Sequence, residues 1–138
     1  MSSLSHKTHC DTLNGDGTQM YNFRYSNKPG VWGPKFWYML HNSSLYYPDN
    51  ATKACADQTS NFILALPCIL PCSVCRNHAV DYLTKFNKKQ LLQICSTKKG
   101  LATFFLNMHN YVNLHTGKKA MTMCDLISNI EDSEQKRC

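Results

Sequence analysis

The chain has 138 residues, enough for one domain with a single hydrophobic core that does not depend on disulfides. Hydrophobic residues make up 43% and charged residues 17%, a globular balance, and no apolar run approaches the roughly 20 residues a membrane span needs. The formal charge of +6 falls partly on Lys88-Lys89, Lys98-Lys99 and Lys118-Lys119, scattered pairs without interleaved aromatics, so one phosphate-binding spot is expected and a nucleic-acid groove is not.

Residues 1–30 are polar and read as a flexible N-terminal arm that carries Cys10. The first ten residues lack the apolar core of a secretory signal, which makes the cytosol the expected compartment. Eight cysteines are many for that compartment, so several are expected to be catalytic, metal-bound or oxidised by the protein's own activity.

A helix is predicted to open at Pro34 and end before Pro48, with Phe36, Trp37, Leu40, His41 and Leu45 recurring at three and four residues. Trp37 and His41 share one face of it. Asp49 is the expected cap of a second helix, about residues 51–66, whose inner side carries Ala54, Cys55, Thr59, Phe62, Ile63 and Leu66.

The stretch Leu66-Pro-Cys68-Ile-Leu-Pro71-Cys72-Ser-Val-Cys75-Arg-Asn-His78 follows. Pro71 suits a first helical position, so a third helix is expected to start at Pro71 or Cys72 and to place both sulfurs in its first turn. Free N–H groups and the helix dipole there favour a thiolate, the form that attacks disulfides. Three chemistries suit these residues: a redox pair Cys72/Cys75, a structural disulfide, or a zinc site of Cys68, Cys72, Cys75 and His78.

A short helix is predicted over 90–95. Another begins near Thr97 or Gly100 and stops at Gly117, with Phe105, Met108 and Val112 at core spacing. Within it His109, Asn110 and Asn113 form a polar cluster on an apolar helix, so a polar partner should lie against them. A last helix, about 122–129, starts with the capping pair Thr122 and Asp125, and 131–138 read as a flexible tail ending in Cys138. No strand pattern appears, so the fold class is all-α.

Three signatures stand in fixed order: Trp32-Gly33-Pro34-x-x-Trp37-x-x-Leu40-His41 with Tyr46-Tyr47-Pro48-Asp49, then Pro71-Cys72-x-x-Cys75-x-x-His78, then His109-Asn110-x-Val112-Asn113-x-x-x-Gly117-Lys118. Together they resemble the Erv/ALR family of FAD-linked sulfhydryl oxidases, most closely the short versions of large cytoplasmic DNA viruses. The resemblance covers about residues 31–119, and residues 31–130 form the expected oxidase domain.

It implies a four-helix bundle plus a short fifth helix with FAD held within the bundle, and no metal. Cys72 and Cys75 are the implied catalytic pair. Gly33, Trp37, His41, Cys75, His78, His109, Asn110, Asn113 and Lys118 are the implied cofactor contacts, Lys118 toward the diphosphate. It further implies a protein dithiol substrate or a thioredoxin-like carrier, a homodimer, and residence in the cytoplasm of an infected cell and in the virion. The alternative is a non-enzymatic zinc-bound adaptor using Cys68, Cys72, Cys75 and His78. One departure stands out. Leu106 occupies the place of a cysteine that mitochondrial members pair with one near the last helix, so Cys124 lacks that partner, and a pairing with Cys95 is left open.

Overall fold

A computed structural model describes residues 26–135. Cys10, Cys138 and most of the expected arm lie outside the described residues. Six helices follow one another: α1 (Pro29–Leu45), α2 (Lys53–Ile69), α3 (Ser73–Leu83), α4 (Lys88–Ile94), α5 (Lys98–His115) and α6 (Met123–Gln135). No strand occurs among the described residues. Helices α1, α2, α3 and α5 form the bundle, with the short α4 against α2 and α5, and α6 against α1 and α5.

The helix starts show which local chemistry wins. α1 begins at Pro29 rather than Pro34, because Pro29 takes the first helical position. Pro34 lies inside the helix and withholds one N–H from the Gly30 carbonyl. The cap of α2 is Thr52, whose hydroxyl accepts the Cys55 N–H at 3.2 Å, and not Asp49. α2 also runs through Pro67 to Ile69.

Its inner face is turned from the expected one. Ala56, Ser60, Ile63, Leu66 and Pro67 are buried, Cys55 and Thr59 are half-buried, and Ala54 and Phe62 are exposed. α4 opens with a capping box between Asn87 and Gln90, and α5 with Thr97 accepting the Gly100 N–H. Gly117, at φ 75°, ends the turn after α5 in a conformation that costs other residues roughly 1–2 kcal/mol. The Thr122–Asp125 pair caps α6 as expected, with bonds of 2.8 and 3.2 Å. α6 continues to Gln135, past the expected end at Asn129.

The core is built from Leu40 of α1, Ile63 and Leu66 of α2, Tyr82 and Leu83 of α3, Leu91 of α4 and Phe104, Phe105 and Met108 of α5. Each such side chain contributes roughly 1.5–3 kcal/mol on removal from water. Phe105 and Met108 are buried as their spacing predicts, whereas Val112 is half-buried because it faces a cavity. That cavity lies between α1, α3, α5 and α6, and the bundle is arranged around it.

Candidate functional site

The cavity has a volume of about 500 Å³, within the roughly 300–1,000 Å³ of small-molecule and cofactor sites. α1 supplies Trp32, Gly33, Phe36, Trp37 and His41 to its wall. The start of α3 supplies Cys72, Val74, Cys75 and His78, and α5 supplies Met108, His109, Val112 and Asn113. Lys118 and α6 complete it.

Helical spacing sets the aromatic end. Trp37 and His41, four residues apart on α1, stack at 5.7 Å, and His109 of α5 lies against the Trp37 ring at 4.1 Å with the planes 2° apart. His41 Nε2 and His109 Nδ1 share a hydrogen bond of 2.9 Å. Burial, then the neighbouring His109, lowers His41 to about 4. Burial, then the Lys118 ammonium, lowers His109 to about 4 as well. Both rings are therefore neutral at pH 7, and one of the two donates the shared proton. His41 Nδ1 is buried with no hydrogen-bond partner, an open polar position at the aromatic end. A Cβ on Gly33, itself buried in the wall, would meet no atom within 4 Å, so this stretch of backbone faces open cavity.

The sulfurs come from a different piece of local chemistry. Cys72 is the N-cap of α3, and its Sγ accepts the Cys75 N–H at 3.3 Å. The turn between α2 and α3 is latched by Arg76, whose Nε donates to the Leu70 carbonyl at 2.6 Å. Both cysteines are thiols in this structure and both line the cavity. The expected lowering of the thiol pKa does not hold for Cys75. Burial, then the adjoining Cys72, pushes it up to about 12, outweighing the helix N-terminus.

Cys68 is exposed on the last turn of α2 and stands apart from the cavity wall. No group of three or more metal-ligating side chains occurs among the described residues, so Cys68, Cys72, Cys75 and His78 do not converge as a zinc site.

Most of the expected contacts are brought together: Gly33, Trp37, His41, Cys72, Cys75, His78, His109, Asn113 and Lys118 all border one cavity. Asn110 does not. Its amide is committed at both ends to Met121, donating to the carbonyl and accepting the N–H at 2.8 Å each, so it fastens the chain before α6 onto α5. The polar partner sought for Asn110 is thus backbone, eleven residues on. Asn110→Ala is expected to lower stability by about 1–3 kcal/mol, read from the urea unfolding midpoint, because it leaves both Met121 groups unpaired.

The sequence reading missed the contribution of α6. Leu126, Asn129, Ile130 and Ser133 line the cavity at helical spacing, a stripe that periodicity could have exposed once the helix was drawn past Asn129. The assembled wall is largely apolar and aromatic, and it also carries a lysine, an asparagine and two thiols. It suits a planar aromatic cofactor with an anionic arm, placed for exchange with a dithiol.

Comparison with known proteins agrees with this chemistry. A family model described as the Erv1 / Alr family matches residues 34–133. A candidate FAD-linked sulfhydryl oxidase of Invertebrate iridescent virus 6 is 37% identical over 92 residues, which cover 65% of this chain and 83% of that protein. Another of Invertebrate iridescent virus 3 is 36% identical over 90 residues, 65% of this chain and 59% of that longer protein. The FAD-linked sulfhydryl oxidase of African swine fever virus is 31% identical over 102 residues, 74% of this chain and 82% of that protein.

Proposed function

The chain belongs to the Erv1/Alr family, and from that premise we propose that it is an FAD-dependent sulfhydryl oxidase, converting protein dithiols to disulfides through Cys72 and Cys75. The observation that carries the reading is the placement of both sulfurs in the wall that also holds the Trp37–His109 stack.

The cavity fits FAD. Trp37, His41, His78 and His109 would hold the aromatic portions, with the unpaired His41 Nδ1 available to a polar edge. Gly33 leaves room for close approach, and Asn113 and Lys118 would take polar and anionic groups. The chemistry supplied by bound FAD is two-electron oxidation of the Cys72–Cys75 dithiol, with dioxygen as final acceptor and hydrogen peroxide as product.

The protein's own part is thiol exchange. In the disulfide form, a client thiolate attacks Cys72 Sγ, and the electron pair of the broken bond leaves on Cys75. The second client thiolate then attacks the mixed disulfide and releases Cys72. The client loses two electrons and two protons, and the pair Cys72/Cys75 gains them. The N-cap bond from the Cys75 N–H fixes the Cys72 sulfur at the helix start, while Cys75 faces the interior. Val74 and Ile69, 59% and 66% exposed, put apolar surface beside Cys72 on which a client segment can rest.

No described helix is long and apolar enough to cross a membrane. A homodimer belongs to the same proposal, supported by Met39 of α1, Tyr46 just after it, and Phe62 and Leu64 of α2, all large and exposed. So does a place in the cytoplasm of an infected cell and in the virion, since the relatives come from large DNA viruses.

Two measurements on the purified chain test the activity: its visible spectrum, and aerobic peroxide formation from dithiothreitol with and without added FAD. A flavin band near ~450 nm and peroxide in step with thiol loss are expected. A colourless chain holding one zinc, with no peroxide after FAD is added, would instead favour the adaptor reading.

A further inference from the structure

We propose that Cys55 and Cys95 form a second disulfide, a staple between the first turn of α2 and the C-cap of α4, made by exchange with an external disulfide such as oxidised glutathione. Three contacts bring the two segments together. The Ala51 N–H donates to the Ser96 carbonyl at 2.9 Å, setting the backbone before α2 against the backbone after α4. Between them stands Tyr47, whose hydroxyl donates to the Cys95 carbonyl at 2.6 Å. The Cys55 thiol reaches the same hydroxyl, Sγ to Oη 3.6 Å.

Cys95 is wholly buried and Cys55 half-buried, so one sulfur is reachable and the other is shielded. Burial, then the Cys55 thiol, pushes Cys95 up to about 11. Burial together with both thiols also raises the Tyr47 phenol. Cys124, the partner that the sequence left open for Cys95, is exposed on α6, which packs on α1 and α5.

The exposure difference orders the chemistry. Cys55, as thiolate, attacks one sulfur of the external disulfide and expels its first thiolate. Cys95 then gives up its proton and attacks Cys55 Sγ, expelling the second. Two protein thiols become one disulfide, and the external disulfide becomes two thiols that carry the two protons. The tyrosine keeps its bond to the Cys95 carbonyl and loses only the weak S–H donor. A cross-link between residues 55 and 95 closes a long loop in the unfolded chain, the circumstance in which a disulfide stabilises most.

Peptide mapping tests this on the full chain, equilibrated with oxidised glutathione, alkylated under denaturing conditions without reductant, and digested. The expected result is a reducible peptide joining Cys55 to Cys95, with neither residue alkylated. Reductant is then expected to lower the Tm of the parent by about 10 °C and that of Cys55→Ser by clearly less. Alkylated thiols at both positions, either sulfur joined to a different cysteine, or equal Tm shifts in parent and variant would overturn the proposal. Because the assay reads linkage and not peroxide, its failure leaves the flavin reading untouched, and the reverse holds too.

Discussion

Cys75→Ser is expected to lower aerobic peroxide formation from dithiols by at least about 10³-fold while the purified variant stays yellow, because the substitution removes the sulfur that accepts the electron pair and little else. Cys75 is half-buried in the first turn of α3, and serine is nearly isosteric there. The urea midpoint should move by under about 1 kcal/mol, since no cavity is opened.

Cys72→Ser makes the companion case, and the structure separates its effects cleanly. Position 72 is a helix N-cap, and serine is among the best N-cap residues, so the bond now made by Sγ to the Cys75 N–H passes to a hydroxyl and the fold is kept. Activity toward protein dithiols should still vanish, because no sulfur remains at the helix start for a client to attack. Normal turnover in either variant, with flavin bound, would remove Cys72 and Cys75 from the catalytic role.

How far the residues alone announce such a site depends on the range over which each interaction acts. Caps close within one turn, and Thr97 and the Thr122–Asp125 pair act through neighbours three positions away. Pattern reading handles those. It places α1 too late because two prolines compete for the first helical position, and only packing decides that Pro34 is carried inside the helix. It turns α2 by about one residue because periodicity marks an apolar stripe, while packing against α3 and α4 decides which edge of the stripe is buried.

The failure at Asn110 is more instructive. A polar side chain on an apolar helix shows that a partner exists but not which one, and a backbone group across a turn satisfies an amide as well as a cofactor does. His109, one residue earlier, has the same signature and a different outcome, because its rotation on α5 directs it to Trp37. Cys95 shows the opposite gap. Its partner depends on how the ends of α2 and α4 meet through Tyr47, a long-range fact with no local trace.

The second large effect is expected at His109. Its ring lies parallel on Trp37 at 4.1 Å and holds the bond of 2.9 Å that satisfies His41 Nε2. His109→Ala deletes a stack of roughly 0.5–1.5 kcal/mol and leaves His41, 2% exposed, with neither ring nitrogen paired, a further cost of roughly 1–3 kcal/mol. The wall that positions a planar ring then collapses or fills with water. The variant should purify colourless, with FAD affinity reduced by at least about 100-fold in fluorescence titration.

The same pair fixes a pH dependence. Both imidazoles sit near 4 in the folded chain against 6.5 as the ordinary value. For a depressed folded value the unfolded chain binds more protons between the two, so stability rises with pH across that window. The contribution is complete above about 6.5 and is lost as pH falls toward 4, roughly 3 kcal/mol for the first proton taken up. Urea midpoints at pH 7 and 4.5 should therefore fall further apart in the parent than in His109→Ala, which has one buried imidazole fewer to charge. Full flavin occupancy in the variant, together with an unchanged pH slope, would show that the His41–His109 pair neither builds the pocket nor senses acid.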